Sequence, residues 1–165
     1  MAKKDTGPLL QCLKPFSSDI ISKVLSLREW VWSMYPDTNE LIYDNYNAVA
    51  FGWSLTDKLG QTFCTMAVGR SSSNIHFGFY FGNELADPKG LLLGAGNQYR
   101  YILVGDLSAF PKTYIKSLLK EAYNKAKIKL KTGTEPRQGT TILKSVSAKK
   151  RAQATKKKTV TKKKK

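Results

Sequence analysis

Between Ser17 and Met34 the apolar residues Ile20, Val24, Leu27, Val31 and Met34 recur at steps of three and four, with Ile21, Leu25 and Trp32 beside them. This spacing is the apolar stripe of an amphipathic helix. Ser17 or Ser18 supplies its N-cap, and Pro36 stops it. Asp37-Thr38-Asn39-Glu40 then reads as a second helix start, an aspartate cap with an acid three residues on. A short helical turn is predicted to lead from there into Tyr43.

The middle of the chain changes period. Tyr46 to Thr56 is rich in apolar residues, and Asp57-Lys58-Leu59-Gly60 reads as a turn. Thr62 to Val68 returns as a second strand, followed by the polar loop Gly69-Arg70-Ser71-Ser72-Ser73-Asn74. Ile75, Phe77, Phe79 and Phe81 alternate with His76, Gly78 and Tyr80, the period-two pattern of a strand with one apolar face. Tyr99 to Val104 is a further strand. Short turns between strands predict mainly antiparallel pairing.

A last helix carries Tyr114, Ile115, Leu118, Leu119, Ala122, Tyr123 and Ala126 as one stripe, with Lys112, Lys116 and Lys120 on the other side. Ser108 or a neighbour caps it, and Pro111 suits its first turn. Strands bracketed by helices predict an α+β fold, an antiparallel sheet with the N- and C-terminal helices on one face.

Charge divides the chain. Up to Ala126 there are thirteen Lys and Arg against eleven Asp and Glu, a net of +2; from Lys127 onward there are fifteen against Glu135 alone, a net of +14. Every aromatic residue lies at or before Tyr123. The sequence therefore reads as an N-terminal extension over 1–16, a globular domain over 17–131 and a disordered lysine-rich tail over 132–165. Cys12 and Cys64 fit no paired motif and read as reduced thiols, Cys64 packed in a strand. The run Leu9 to Leu13 is too short for a signal peptide, and no stretch reaches the ~18 apolar residues of a membrane span. A cytoplasmic protein is expected.

Catalytic chemistry finds little to work with. Gly52-Trp53-Ser54-Leu55-Thr56 begins like a nucleophile elbow but lacks the closing glycine. His76 is the single histidine, which excludes the two-histidine zinc motifs. No catalytic residue and no cofactor is assigned. Asp37, Glu40 and Asp44 have helical spacing, so they read either as helix-capping acids or as an oxygen-ligand metal site, with capping preferred. On the sheet face opposite Ile75, Phe77 and Phe79, the residues Tyr43, His76, Tyr80 and Arg100, with Tyr46 and Trp53 near them, form a candidate ligand face. Aromatics beside an arginine on an open sheet can stack bases or floor a small-ligand pocket. Gly94 and Gly96 in DPKGLLLGAGNQYR lack the third glycine and the following helix of a dinucleotide fingerprint, so they read as a turn.

The tail carries the strongest signal. Lysine clusters interleaved with Ala, Thr and Val resemble linker-histone tails, and lysines displace condensed counterions from phosphates. Lys149, Lys150, Arg151, Lys156, Lys157, Lys158, Lys162, Lys163, Lys164 and Lys165 are the expected nucleic-acid-binding residues. Their contacts would be to backbone and carry no sequence code.

Glu40-Leu-Ile-Tyr43, the aromatic strand ending at Gly82, Leu85-x-Asp87-Pro88, Leu93-Gly94-x-Gly96 and Arg100 in Tyr-Arg-Tyr-Ile together resemble the bacterial YdhG-like family, the "eighteen-oh-one" domain of unknown function. The resemblance covers the globular part and excludes the tail. It implies a frataxin-like α–β sandwich. Frataxin-type proteins hold iron on an acidic ridge; here the acids Asp19, Glu29, Asp37, Glu40 and Asp44 are scattered and interrupted by Lys23 and Arg28. The function expected is non-enzymatic, non-specific binding of nucleic-acid backbone by the tail, on the nucleoid by extension. The alternative is a small-ligand or iron carrier that the tail localises.

Overall fold

A computed structural model describes residues 4–130 and 139–153. Among these residues three α-helices and six strands follow in the order α1 (Gly7–Leu13), α2 (Ser18–Met34), β1 (Asn39–Asp44), β2 (Ala48–Ser54), β3 (Thr62–Gly69), β4 (Ile75–Phe79), β5 (Arg100–Val104), α3 (Lys112–Lys129) and β6 (Thr141–Val146). The fold is α+β, and the six strands form one mixed sheet in the order β5-β4-β3-β2-β1-β6. The pairings from β1 through β5 are antiparallel, while β6 lies parallel to β1.

The predicted periods place α2 and α3 well. The Ser17 hydroxyl accepts from the Ile20 amide at 3.3 Å and caps α2, which buries Val24, Leu27, Val31 and Trp32. In α3 the buried residues are Ile115, Leu118, Leu119, Ala122 and Ala126, one stripe as expected. Both helices lie over the sheet face that carries Val49, Phe51, Trp53, Met66, Phe77 and Phe79, and these residues make one core. A register shift at Trp53/Ser54 lets the consecutive residues Phe63 and Cys64 both enter it. Phe63 packs edge-on to Tyr35 and to Tyr123 of α3.

Three expectations change. Residues 7–16, read as part of an N-terminal extension, pack into the domain. Leu9, Cys12 and Leu13 stand on one side of α1 and are buried in the core. Residues 39–44 are a strand, not the end of a helical turn. The local capping signal is overridden because Glu40 is needed elsewhere: its backbone N–H donates to the Thr140 carbonyl at 2.9 Å, and its carboxylate meets Arg28 of α2. The segment assigned to a disordered tail contains β6, where Thr141-Ile142-Leu143 pairs with Glu40-Leu41-Ile42. Beta-branched and leucine side chains in TILKSV suit an edge strand despite the lysine-rich context.

The stretch from Asp87 to Arg100 is a loop held by one carboxylate. Asp87 accepts from the Leu91 amide at 3.1 Å, the Leu92 amide at 2.9 Å and the Tyr114 hydroxyl of α3. Burial works against the Asp87 charge, but Tyr114 and the amides of Leu92, Leu91 and Gly90 outweigh it and hold the carboxyl below its ordinary range. Gly90 and Gly94 adopt positive φ of 60° and 121°, which explains glycine there. A strand follows, as the sequence predicts, and no helix opens on the Gly94-Ala-Gly96 turn.

Candidate functional site

Among the described residues no helix packs on the other face of the sheet, and its register builds a trough there. One row across the strands runs Tyr43, Ala50, Ala67, His76, Leu103 from β1 to β5. The next runs Leu41, Gly52, Thr65, Gly78, Tyr101. Small residues in the middle and large ones at the sides leave a cavity of about 300 Å³ floored by Ala50, Gly52 and Ala67. Tyr43 stands on one side, His76, Tyr80 and Tyr99 on the other.

The floor is fixed by packing. A β-carbon on Gly52 would lie 2.7 Å from the Cys64 carbonyl oxygen and 2.9 Å from the Thr62 and Thr65 methyl groups. One on Gly78 would overlap the Tyr99 ring, so glycine there lets Tyr99 fold over the sheet. The Thr65 side chain lies beside the Tyr99 phenol. Burial raises the Tyr99 phenol, and burial together with neighbouring Tyr80 raises that of Tyr43. His76 lies flat on Tyr101, ring centroids 4.0 Å apart and planes 1° apart, and Tyr101 stacks in turn near Tyr99 at 5.8 Å and 18°. Burial lowers the His76 imidazole below its ordinary value near 6.5, so it is neutral at pH 7.

Phenols, threonine hydroxyls and the Asn45 amide therefore supply hydrogen bonds, and no side chain lining the cavity is charged at neutral pH. Thr62, 1% exposed, also lines it, and its hydroxyl has no hydrogen-bond partner among the described residues.

Tyr43, His76 and Tyr80 thus come together as the sequence proposes, and Arg100 does not join them. It pairs with Phe79, so strand alternation puts it on the helix-covered side, where its guanidinium donates to the carbonyls of Gly96 at 2.6 Å and Tyr99 at 2.8 Å. Trp53 is in the core, and Tyr46 sits half-exposed at the β1–β2 turn. Tyr99, Thr62, Thr65 and Asn45 escape a reading by strand period alone. The alternation of Ala50, Gly52, Ala67 and Gly78 is the signal that marks the trough.

The acids at 37, 40 and 44 are not gathered for a metal. Glu40 takes two hydrogen bonds from Arg28; Asp44 pairs with Arg70 and, at 2.7 Å, with Lys150; Asp37 is exposed. Among the described residues no group of three or more His, Cys, Asp and Glu could hold a metal ion. Because 39–44 is a strand, the capping role fails as well.

The first cations of the arm are fixed to the same end of the sheet. Lys150 reaches Asp44, the Arg151 amide donates to the Tyr46 carbonyl at 2.9 Å, and Gln153 donates to the Pro15 carbonyl at 3.0 Å. Lys149 is exposed beside them. Lys156, Lys157, Lys158 and Lys162 to Lys165 lie outside the described residues. No helix among the described residues is long and apolar enough to cross a membrane. Comparison of the chain with protein-family models, with curated proteins and with solved structures finds no match.

Proposed function

We propose that this protein acts by binding nucleic acid, with a lysine-rich arm as its phosphate-neutralising element and without catalysis. The observation that carries the reading is the segregation of charge, a net of +14 from Lys127 onward against +2 before it. Lysines that displace condensed counterions gain affinity without reading bases. Arg151 supports it: its amide is held on the Tyr46 carbonyl while its guanidinium reaches Asn47, unpaired by a carboxylate among the described residues, whereas Lys150 is engaged by Asp44. The YdhG-like resemblance, a frataxin-like reading of the sheet with its helices on one face, and a place on a bacterial nucleoid in the cytoplasm belong to the same proposal. The small-ligand alternative draws on the cavity of the open face. Its iron-binding form draws no support from Glu40 and Asp44, whose carboxylates are engaged by Arg28 and Arg70.

The test compares the full chain with one ending after Gln153, which keeps β6; ending at Gly139 would remove that strand. With about eight lysines engaged, log K for a duplex falls against log[salt] with a slope of roughly −7. The shortened chain is expected to lose most of that slope and affinity. Equal retention of DNA by both chains sinks the proposal.

A further inference from the structure

The cavity on the helix-free face of the sheet is a pit bounded on four sides. Tyr43 of β1 and His76 of β4 stand in one row, with Ala50 and Ala67 between them. Three strand spacings separate their backbones, roughly 14 Å. Along β2 the ends are set by Asn45 before the strand and Leu59 after it, and both line the cavity. Such a pit admits a small molecule rather than a continuous chain. Its volume of about 300 Å³ is at the small end of ligand sites, which run from about 300 to 1,000 Å³.

The floor carries no side chain larger than a methyl group. Ala50 and Ala67 offer one each, and at Gly52 the Thr62 and Thr65 methyls crowd the bare backbone. A flat ring can therefore lie close on the strands, with Tyr43 on one side and His76, Tyr80 and Tyr99 on the other.

The polar groups around it are neutral. Burial keeps the His76 imidazole uncharged and the Tyr43 and Tyr99 phenols protonated at pH 7. An ion entering the pit would lose hydration and meet no counter-charge in the lining. A pure hydrocarbon would leave the phenols, the threonine hydroxyls and the Asn45 amide unmatched. Thr62 sharpens the point, since its buried hydroxyl already lacks a partner among the described residues. A neutral ring with both donors and acceptors on its edge answers both conditions.

We propose that this cavity binds a small, flat, uncharged heteroaromatic molecule, its ring between Tyr43 and the His76, Tyr80 and Tyr99 side and its polar edge on the hydroxyls and Asn45. The assignment gives the small-ligand reading its chemistry and rests on it. The lysine-rich arm takes no part.

The full chain is titrated, in enough salt to screen the arm, while its backbone amides are followed by NMR. The probes are adenine, benzoate, which is flat but anionic, and cyclohexanecarboxamide, which is neutral but not flat. Adenine is expected to shift the Ala50, Gly52 and Ala67 amides with a dissociation constant of about 1 mM or tighter, and the other two to leave them in place. Ala50→Leu and Ala67→Leu fill the floor, and each should weaken adenine at least tenfold. Circular dichroism identifies a variant that fails to fold; the other then decides, and the shift map with the two control probes decides without either. Adenine binding that survives both substitutions, or that shifts amides away from the pit, overturns the assignment. If benzoate or cyclohexanecarboxamide moves the floor amides as strongly as adenine, the ligand class is wrong while the small-ligand reading stands. Silence from all three probes overturns both.

Discussion

Arg28 and Glu40 face each other with two parallel hydrogen bonds, Nε to Oε2 at 2.6 Å and the terminal nitrogen to Oε1 at 2.8 Å, and both residues are buried. The remaining guanidinium capacity goes to the Thr6 hydroxyl and the Asp5 carbonyl, while Thr141 of β6 donates to Glu40. One ion pair therefore joins the start of the chain, α2, β1 and β6. Glu40→Ala leaves a buried, unpaired guanidinium and is expected to cost ~3–5 kcal/mol in urea unfolding. A loss under about 1 kcal/mol would mean that Arg28 reaches water when unpaired.

Asp44 offers an internal contrast. Its carboxylate serves Arg70, which is 4% exposed, and Lys150, whose side chain is 32% exposed. Asp44→Ala strands the buried arginine and is expected to cost ~3–5 kcal/mol. Lys150→Ala removes only the outer partner, worth up to about 1 kcal/mol. Equal effects in paired denaturation curves would contradict this division of labour.

Tyr35 makes the fold sensitive to alkali. Burial, with smaller contributions from Cys64 and Tyr123, pushes its phenol up to about 12. The unfolded chain ionises near 10, so it releases its proton first as pH rises. The contribution is complete below pH 10 and is lost between about 10 and 12. Denaturation midpoints measured at pH 9, 10 and 11 should fall, and Tyr35→Phe should fall less steeply over the same steps.

Both thiols are sheltered. Cys64 is fully buried and burial raises its thiol well above the ordinary value; Cys12 is raised by burial and by Asp44. Since the thiolate is the reactive form, folded protein at pH 8 should label far more slowly than protein in denaturant. Rapid modification of Cys64 in the folded state, read by mass spectrometry, would refute its placement in β3.

Where one element alone decides its structure, the sequence is legible. The stripes of α2 and α3 and the alternation of Ile75, Phe77 and Phe79 need no partner to be recognised. Legibility ends where a distant segment decides. Asn39–Asp44 carries a helix-start signal yet is held extended by β2 and β6, and Thr141–Val146 lies in too lysine-rich a context to announce a strand without Glu40 to Asp44 beside it. In the cavity, His76 and Tyr80 follow from strand period, whereas Tyr43 reaches it only because 39–44 is a strand and not a helical turn. Tyr99 depends on the space above Gly78, and Arg100 is displaced by alternation about that same tyrosine.

The parallel seat of β6 on β1 has a consequence in time. Glu40 and Thr141 are 101 residues apart, whereas β1 to β4 are linked by short turns. Closing so long a loop carries an entropic cost that local hairpins avoid, and non-local contacts slow folding. The antiparallel strands can form while the chain is still emerging from the ribosome. The last edge docks only when residue 146 is free, so β1 waits with one side unpaired until α3 has already been made.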